Sequence, residues 1–302
     1  MQMRFLEAGW SARNRNGRQM IESFAAGSNG ARDHLRDMTN LSEAETMPKL
    51  DIHLFPALDD NYGVLIHDAG ANVTASIDAP DAKTVEKALR DTGWSLTHIL
   101  VTHHHADHTQ GITALKSTYG CRVIGPKGEA EKIPGIDEAL AEGDVYRFGN
   151  FDVEVLETPG HTLGHITLYL PAAKIAFCGD TVFPLGCGRV FEGTMDQMWS
   201  SVAKIGALPA DTALYCGHEY TLSNARFAET VETGNGALKD YIATAKTKRE
   251  RGEPTVPTTV KAELAANPFL RADRPELAAA IGMAGASAAE VFGEIRRRKD
   301  NF

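Results

Sequence analysis

Thr102-His103-His104-His105-Ala106-Asp107-His108 follows directly on the apolar run Ile99-Leu100-Val101. The apolar run reads as a buried strand, and the polar run as the turn that leaves it. Four side chains of the heptapeptide can bind a metal: His103, His105, Asp107 and His108. Three imidazoles and a carboxylate suit zinc or a similar transition ion. Alternate residues of an extended segment face opposite sides, so His103 and His105 face together and His104 faces away. His104 is therefore expected to support the site rather than to bind metal. Ligands at the end of a strand point to an α/β protein whose chemistry sits at a sheet edge.

Three further candidates lie downstream: Thr158-Pro159-Gly160-His161-Thr162, Phe177-Cys178-Gly179-Asp180-Thr181 and Tyr215-Cys216-Gly217-His218-Glu219. In each, a glycine separates an apolar strand from His161, Asp180 or His218. Glycine lets the backbone turn sharply enough for the next side chain to enter a shared crevice. The set is then five histidines and two aspartates. One ion needs about four ligands, so seven fit two ions if a carboxylate bridges and water fills the gap. His165 begins a strand and is expected to support the site. Asp78 ends another strand, where it can anchor the histidine loop or serve as an ordinary structural aspartate. For His34, His53, His67 and His98 an ordinary polar role is expected.

The chain has 302 residues and a formal net charge of −9. That length suffices for two domains. The charge argues against non-specific nucleic-acid binding, which needs a basic face. No apolar run is long enough to span a bilayer. The four cysteines, Cys121, Cys178, Cys187 and Cys216, form no C-x-x-C pair. Reduced thiols in a cytoplasmic enzyme are expected, with a mitochondrial location the weaker reading.

Residues 1–46 are rich in Arg, Asn, Ser and Gly and carry six arginines against six acidic residues. A mitochondrial presequence should be poor in acids. The segment reads as a disordered extension, with Met47 as an alternative start. Strands are expected over 51–56, 62–67, 73–77, 97–101, 122–124, 151–157, 166–170, 174–177 and 213–216. Helices are expected over 81–91, 109–119 and 195–205. After His218 the pattern turns helical, over 222–231, 237–251, 259–266, 274–283 and 287–298, with no convincing strand. This divides the chain into an α/β domain, 47–218, and a C-terminal helical substrate-binding domain, 219–302.

The spacing H-x-H-x-D-H after an apolar strand, with three strand-end ligands in order, resembles the metallo-β-lactamase superfamily. That resemblance implies an αββα sandwich with a two-metal site at one edge. By it, His103, His105 and His161 hold one ion, Asp107, His108 and His218 hold the other, and Asp180 bridges. A hydroxide bridging the metals, held by Asp180 and the ligands, would be the nucleophile. A bound metal lowers the pKa of water from 15.7 to about 7. Two divalent ions are implied, zinc first, with iron or manganese as alternatives.

Other segments narrow the likeness. Residues 186–194 (Gly-Cys-Gly-Arg-Val-Phe-Glu-Gly-Thr), 216–221 (Cys-Gly-His-Glu-Tyr-Thr) and 252–258 (Gly-Glu-Pro-Thr-Val-Pro-Thr) resemble the glyoxalase II, or hydroxyacylglutathione hydrolase, family. So do 267–271 (Asn-Pro-Phe-Leu-Arg) and 296–302 (Arg-Arg-Arg-Lys-Asp-Asn-Phe). The likeness implies hydrolysis of S-D-lactoylglutathione to D-lactate and glutathione, the second step of methylglyoxal detoxification. It also implies that Arg189, Arg296 and Lys299 receive the glutathione carboxylates and that Tyr220 donates a hydrogen bond. Phe191 stands where some members have tyrosine, so a hydroxyl contact is lost there. The expected partner is a small-molecule glutathione thioester, with no nucleic acid and no membrane, and a monomer is expected. The alternative is a glutathione persulfide dioxygenase of the same superfamily, which would use one iron.

Overall fold

In the computed structural model, which describes residues 49–302, the strand-forming runs build two mixed sheets packed face to face. The extension expected over 1–46 lies outside the described residues. The first sheet runs in simple order through β1 (Leu50–Ala57), β2 (Asn61–Asp68), β3 (Val73–Ile77), β4 (His98–Leu100), β5 (Arg122–Pro126) and β6 (Glu138–Leu140). Its first three strands pair antiparallel and the rest parallel. The parallel steps need crossovers. These are α1 (Ala82–Thr92) between β3 and β4, then α2 (Ala106–Thr109) and α3 (Ile112–Tyr119) between β4 and β5.

The second sheet begins with β7 (Val145–Phe148), β8 (Phe151–Glu157), β9 (Ile166–Leu170) and β10 (Ile175–Gly179). A two-stranded ribbon, β11 (Val182–Phe183) and β12 (Gly186–Cys187), and helix α4 (Met195–Gly206) lead to β13 (Ala213–Cys216). Then come α5 (Thr221–Val231), α6 (Gly236–Glu250), β14 (Thr258–Thr259), α7 (Val260–Ala266), α8 (Pro275–Ala280) and α9 (Ala288–Asp300). The sheet order is β14-β13-β10-β9-β8-β7.

Burial follows the layers. Val64, Ile66, Leu100 and Ile124 of the first sheet meet Phe148, Phe151, Val153 and Phe177 of the second in a shared apolar core. The other face of the first sheet packs Leu65, Ile99 and Val123 on Val85 and Leu89 of α1 and Ile112 and Leu115 of α3. The outer face of the second sheet, with Ala176 and Leu214, packs on Met198 and Val202 of α4 and Phe292 and Ile295 of α9. Strands β9 and β10, covered on both sides, are apolar at nearly every position, as buried central strands require. The αββα sandwich read from the sequence is the architecture observed.

The differences are local. The helix expected over 109–119 begins later, as α3 at Ile112, and an unexpected short helix, α2, precedes it; between them Gly111 donates to the Ala79 carbonyl and lies so close that a Cβ would meet it at 2.8 Å. The strand missed after His218 is β14, two residues long, which extends the second sheet by pairing with β13. The helix expected over 274–283 is shorter, Pro275–Ala280, and Gly282 beyond it takes φ 80°. Strands β6, β7, β11 and β12 have too few residues for periodicity to separate them from loops.

Candidate metal centre

All seven ligand candidates meet at one edge of the sandwich. His103, His105 and His161 bring ring nitrogens within 4.8 Å of one another, and so do the ligand atoms of Asp107, His108 and His218. In the first group His105 Nδ1 lies 3.1 Å from His103 Nε2 and 3.0 Å from His161 Nε2. In the second, Asp107 Oδ2 lies 3.3 Å from His218 Nε2 and 3.5 Å from His108 Nε2. Asp180 faces both groups: its Oδ2 is 3.4 Å from His161 Nε2 and 3.3 Å from His218 Nε2.

Local structure explains the convergence. His103, His104 and His105 leave β4 in extended form, and α2 then turns Asp107 and His108 back toward them. The glycine before each later ligand has its own task. Gly179 takes φ 44°, and a Cβ on it would strike His165 Nε2 and Thr102 Oγ1 at 2.6 Å. At Gly217 the need is space: a Cβ would sit 2.6 Å from Asp180 Oδ1 and His108 Cε1.

The far nitrogen of most of these rings is held. His108 Nδ1 lies 2.7 Å from Asp78 Oδ2, His218 Nδ1 is 2.9 Å from Asp60 Oδ1, and His161 Nδ1 is 2.8 Å from the Arg189 carbonyl. Such partners fix the ring and leave Nε2 to the site. Asp78 also accepts from the Thr102 amide at 2.7 Å and the Thr102 hydroxyl at 2.9 Å, which ties the histidine loop to β3. Of the two readings left open for Asp78, its contacts match the anchoring one. Asn61 donates to Asp107 Oδ2 at 3.0 Å.

The donor set fits a metal. His108 Nε2 and Asp180 Oδ1 are buried with no hydrogen-bond partner, an arrangement that costs free energy unless something else is coordinated there. Burial and neighbouring rings hold His103 well below its ordinary pKa, and burial also lowers His105 and His161, so all three are neutral donors. Burial opposes charge on His218 as well, but Asp180, Asp107 and Asp60 overcome it and push that ring up to about 11. Burial would raise the Asp180 carboxyl, yet His108, His218 and His161 hold it well below the carboxylate range. Carboxylates that draw this much positive charge suit divalent cations.

His104 turns away, as expected. Its amide donates to Glu129 Oε2 at 2.7 Å, and its ring lies between Glu129 and Glu192. His165 supports the centre: it stacks on His103 with ring centroids 4.8 Å apart and accepts from the Asp180 amide at 3.1 Å. His67 and His98 lie elsewhere, packed on Trp94 and on Tyr146 and Phe148. The sequence reading missed Asp60, Asn61, Glu129 and Glu192. Asp59-Asp60-Asn61 carries only a turn signal, yet the β1–β2 turn reaches the last ligand loop, where Asn61 bridges to His218 and Tyr62 N–H donates to the Gly217 carbonyl.

The centre opens into a cavity of about 420 Å³. His105, Asp107, His161, Asp180 and His218 line it, and so do all five residues expected to touch substrate: Arg189, Phe191, Tyr220, Arg296 and Lys299. Tyr220 stacks on His218, with planes 4° apart. Arg189 and Phe191 are 57% and 60% exposed. Arg296 is buried, donating to the Cys187 carbonyl at 3.0 Å and pairing with Asp300 at 2.9 Å. Lys299 is half-buried, and its Nζ lies 3.3 Å from the Ser223 carbonyl. The four cysteines are buried free thiols. No helix among the described residues is long and apolar enough to cross a membrane.

Comparison with known proteins agrees with this architecture. Residues 58–218 match the model of the metallo-β-lactamase superfamily, and residues 219–302 match that of the hydroxyacylglutathione hydrolase C-terminus. The chain is 53% identical to the hydroxyacylglutathione hydrolase of Rhizobium meliloti over 256 residues, 85% of this chain and 100% of that one. It is 52% identical to the enzyme of that name from Brucella anthropi, over 84% of this chain and 98% of the other. Among solved structures, ETHE1 from Myxococcus xanthus superposes with a TM-score of 0.59 at 25% identity, covering 82% of this chain and 90% of that one. A metallo-β-lactamase from Staphylococcus aureus superposes with a TM-score of 0.56 at 20% identity, covering 83% and 72%. With residues 58–302 matched by the two models and 53% of the 256 aligned residues identical to a relative covered over its whole length, the chain belongs to the hydroxyacylglutathione hydrolase family of the metallo-β-lactamase superfamily.

Proposed function

We propose that this protein hydrolyses S-D-lactoylglutathione, and related 2-hydroxyacyl glutathione thioesters, to D-lactate and glutathione. The observation that carries the reading is one cavity lined by five of the ligand candidates together with three cationic side chains and the Phe191 and Tyr220 rings. His103, His105 and His161 would hold one divalent ion, Asp107, His108 and His218 a second, and Asp180 would contact both. Zinc suits this mixture of imidazole and carboxylate, as do iron and manganese. Bound ions supply a water that is deprotonated near neutral pH and positive charge opposite the thioester carbonyl.

The remaining work falls to the chain. Water that has given up one proton adds to the carbonyl carbon, the C–S bond breaks, and glutathione leaves as thiolate, which is reprotonated as the new carboxylic acid ionises. A thiolate is a good leaving group, so no side chain need act as a strong acid. Asp180, held ionised, is set to accept a hydrogen bond from the attacking water. Lys299 and Arg189, the latter exposed and paired with Asp300 at 3.3 Å, offer their charges to the glutathione carboxylates, and Tyr220 offers its hydroxyl to the peptide. Arg296 is already engaged with Cys187 and Asp300, so it adds positive potential while bracing the wall. Phe191 edges the rings of His105 and His161 at 5.9 and 5.3 Å and gives the mouth an apolar rim without a hydroxyl.

In this reading residues 47–218 carry the metal centre and 219–302 form the substrate-binding domain. The protein acts as a cytoplasmic monomer. The C-terminal match favours the hydrolase over a persulfide dioxygenase. The test is turnover of S-D-lactoylglutathione by purified protein, with metal analysis of the same sample. Thiol release with two metal equivalents per chain is expected. A fully metallated protein that releases no thiol, or that consumes oxygen with glutathione persulfide instead, would overturn it.

A further inference from the structure

The β11–β12 ribbon turns through Pro184 and Leu185. Leu185 takes φ 59°, the left-handed region, which a β-turn with proline before it ordinarily fills with glycine or asparagine. Leucine there is strained and persists only where its surroundings fix it. Those surroundings come from the C-terminal helices. Leu185 N–H donates to Glu263 Oε2 at 2.9 Å. Asn267 Nδ2 donates to the carbonyls of Phe183 at 3.2 Å and Gly186 at 2.9 Å, and Asn224 Nδ2 donates to that of Pro184 at 3.1 Å. Glu263 is itself held by Thr258 and Tyr241. The Leu185 side chain, fully buried, packs among Ala225, Ala228, Leu238, Ile242 and Ala266.

The ribbon ends in the cavity. Phe183 meets the rings of His218 at 6.0 Å and Tyr220 at 5.3 Å, and the Cys187 carbonyl accepts from Arg296. Glu263 and Asn267 do not line the cavity. We propose that Glu263 and Asn267 are positioning residues: they clamp the strained Pro184–Leu185 turn, and through it set Phe183 and the Cys187–Arg296 contact that shape the substrate side of the cavity. The kinetic half of this inference rests on the proposed thioesterase activity; the structural half does not.

The experiment compares the native chain with Glu263→Gln, Asn267→Ala, Leu185→Gly and Leu185→Gly/Glu263→Gln, all metal-loaded. Hydrogen exchange at residues 182–188 reads the clamp directly and is expected to quicken in Glu263→Gln and Asn267→Ala. KM for S-D-lactoylglutathione is expected to rise about fivefold or more, with kcat within about threefold and metal content unchanged. A merely structural role would lower kcat and metal content together and leave KM alone. Glycine adopts the left-handed turn without strain, so Glu263→Gln should raise KM less in the Leu185→Gly background than in the native one. Unchanged exchange, unchanged KM, or additive effects of the two substitutions would each overturn the clamp. If the native chain turns over no thioester, the functional reading falls. Exchange at 182–188 then decides alone: faster exchange in Glu263→Gln supports the clamp and unchanged exchange rejects it.

Discussion

The two walls of the cavity are built differently. On the metal wall, His108, His161 and His218 each have the far nitrogen held by a carboxylate or carbonyl, and His103 and His108 are wholly enclosed. On the wall proposed to receive substrate, Arg189 and Phe191 stand largely in solvent and Lys299 is half-exposed. In the proposed reaction the metal centre is fixed before substrate arrives, whereas these exposed side chains would be ordered on arrival, at a cost in side-chain freedom of about 0.5–1.5 kcal/mol each. Damage to the first wall should therefore appear in metal content and kcat, and damage to the second in KM.

The largest effect is expected at Asp180, which faces both ligand groups. Asp180→Asn should cut kcat by at least about a hundredfold and lower the metal bound per chain, since even outer partners of metal ligands are worth 10–100-fold. Steady-state kinetics with metal analysis checks this. A full metal complement with near-native kcat would remove Asp180 from the centre. Next come the orienting carboxylates, which test whether enclosure matters within one wall. Asp78→Asn should weaken metal binding about 10–100-fold. Asp60→Asn should weaken it by less than about tenfold, because the Asp60 carboxylate is 47% exposed and water can take its place. Metal-competition titrations that give equal losses would break that distinction.

Lys299→Ala tests the other wall. It should raise KM about tenfold, roughly 1.4 kcal/mol of binding, with kcat within about twofold. Arg296→Ala is a poorer probe because its buried guanidinium braces α9 against the ribbon, so a loss of thermal stability should accompany it. The smallest effect is in pH. Burial, with Arg296 and Arg226 nearby, lowers the Lys299 ammonium to about 8, while Cys187 and Asp300 pull the other way. It is charged below that pH and loses its proton as pH rises through it. KM should therefore climb between about pH 7 and 9 while kcat stays flat, and Lys299→Arg should abolish the climb, since arginine keeps its charge. A climb that survives in Lys299→Arg would assign it to another group.

Much of the metal wall was legible in the sequence. Ligands that end strands leave a local mark, an apolar run followed by a glycine or a histidine cluster, and all seven candidates converge. Asp60 and Glu129 left no such mark. Asp60 reaches its histidine from a turn and Glu129 from a short 3-10 helix, and the position of each depends on strands that pair far away in the chain. The fold was readable where strands run five residues or more with a buried face, as in β2, β8 and β9, but not in β6, β11 or β14. Two or three residues show no period, and their pairing is set by neighbours. The break between α2 and α3 was hidden for a related reason: a close approach of Gly111 to the Ala79 carbonyl is tertiary information.

The bridge between Asn61 and His218, with Lys299 lining the same cavity, bears on the order in which the chain can assemble. A ribosome delivers the turn at Asp60 long before it delivers the histidine loop's last partner, and the substrate wall later still. A nascent chain can offer His103, His105 and Asp107 to passing metal, but only as a loose, partial chelate. The complete cage exists only once β13 has docked and brought His218 to the other ligands, and α9 then adds Arg296 and Lys299 to the cavity. Capture of metal by all seven residues is thus a late event in folding, because His218 comes 115 residues after His103.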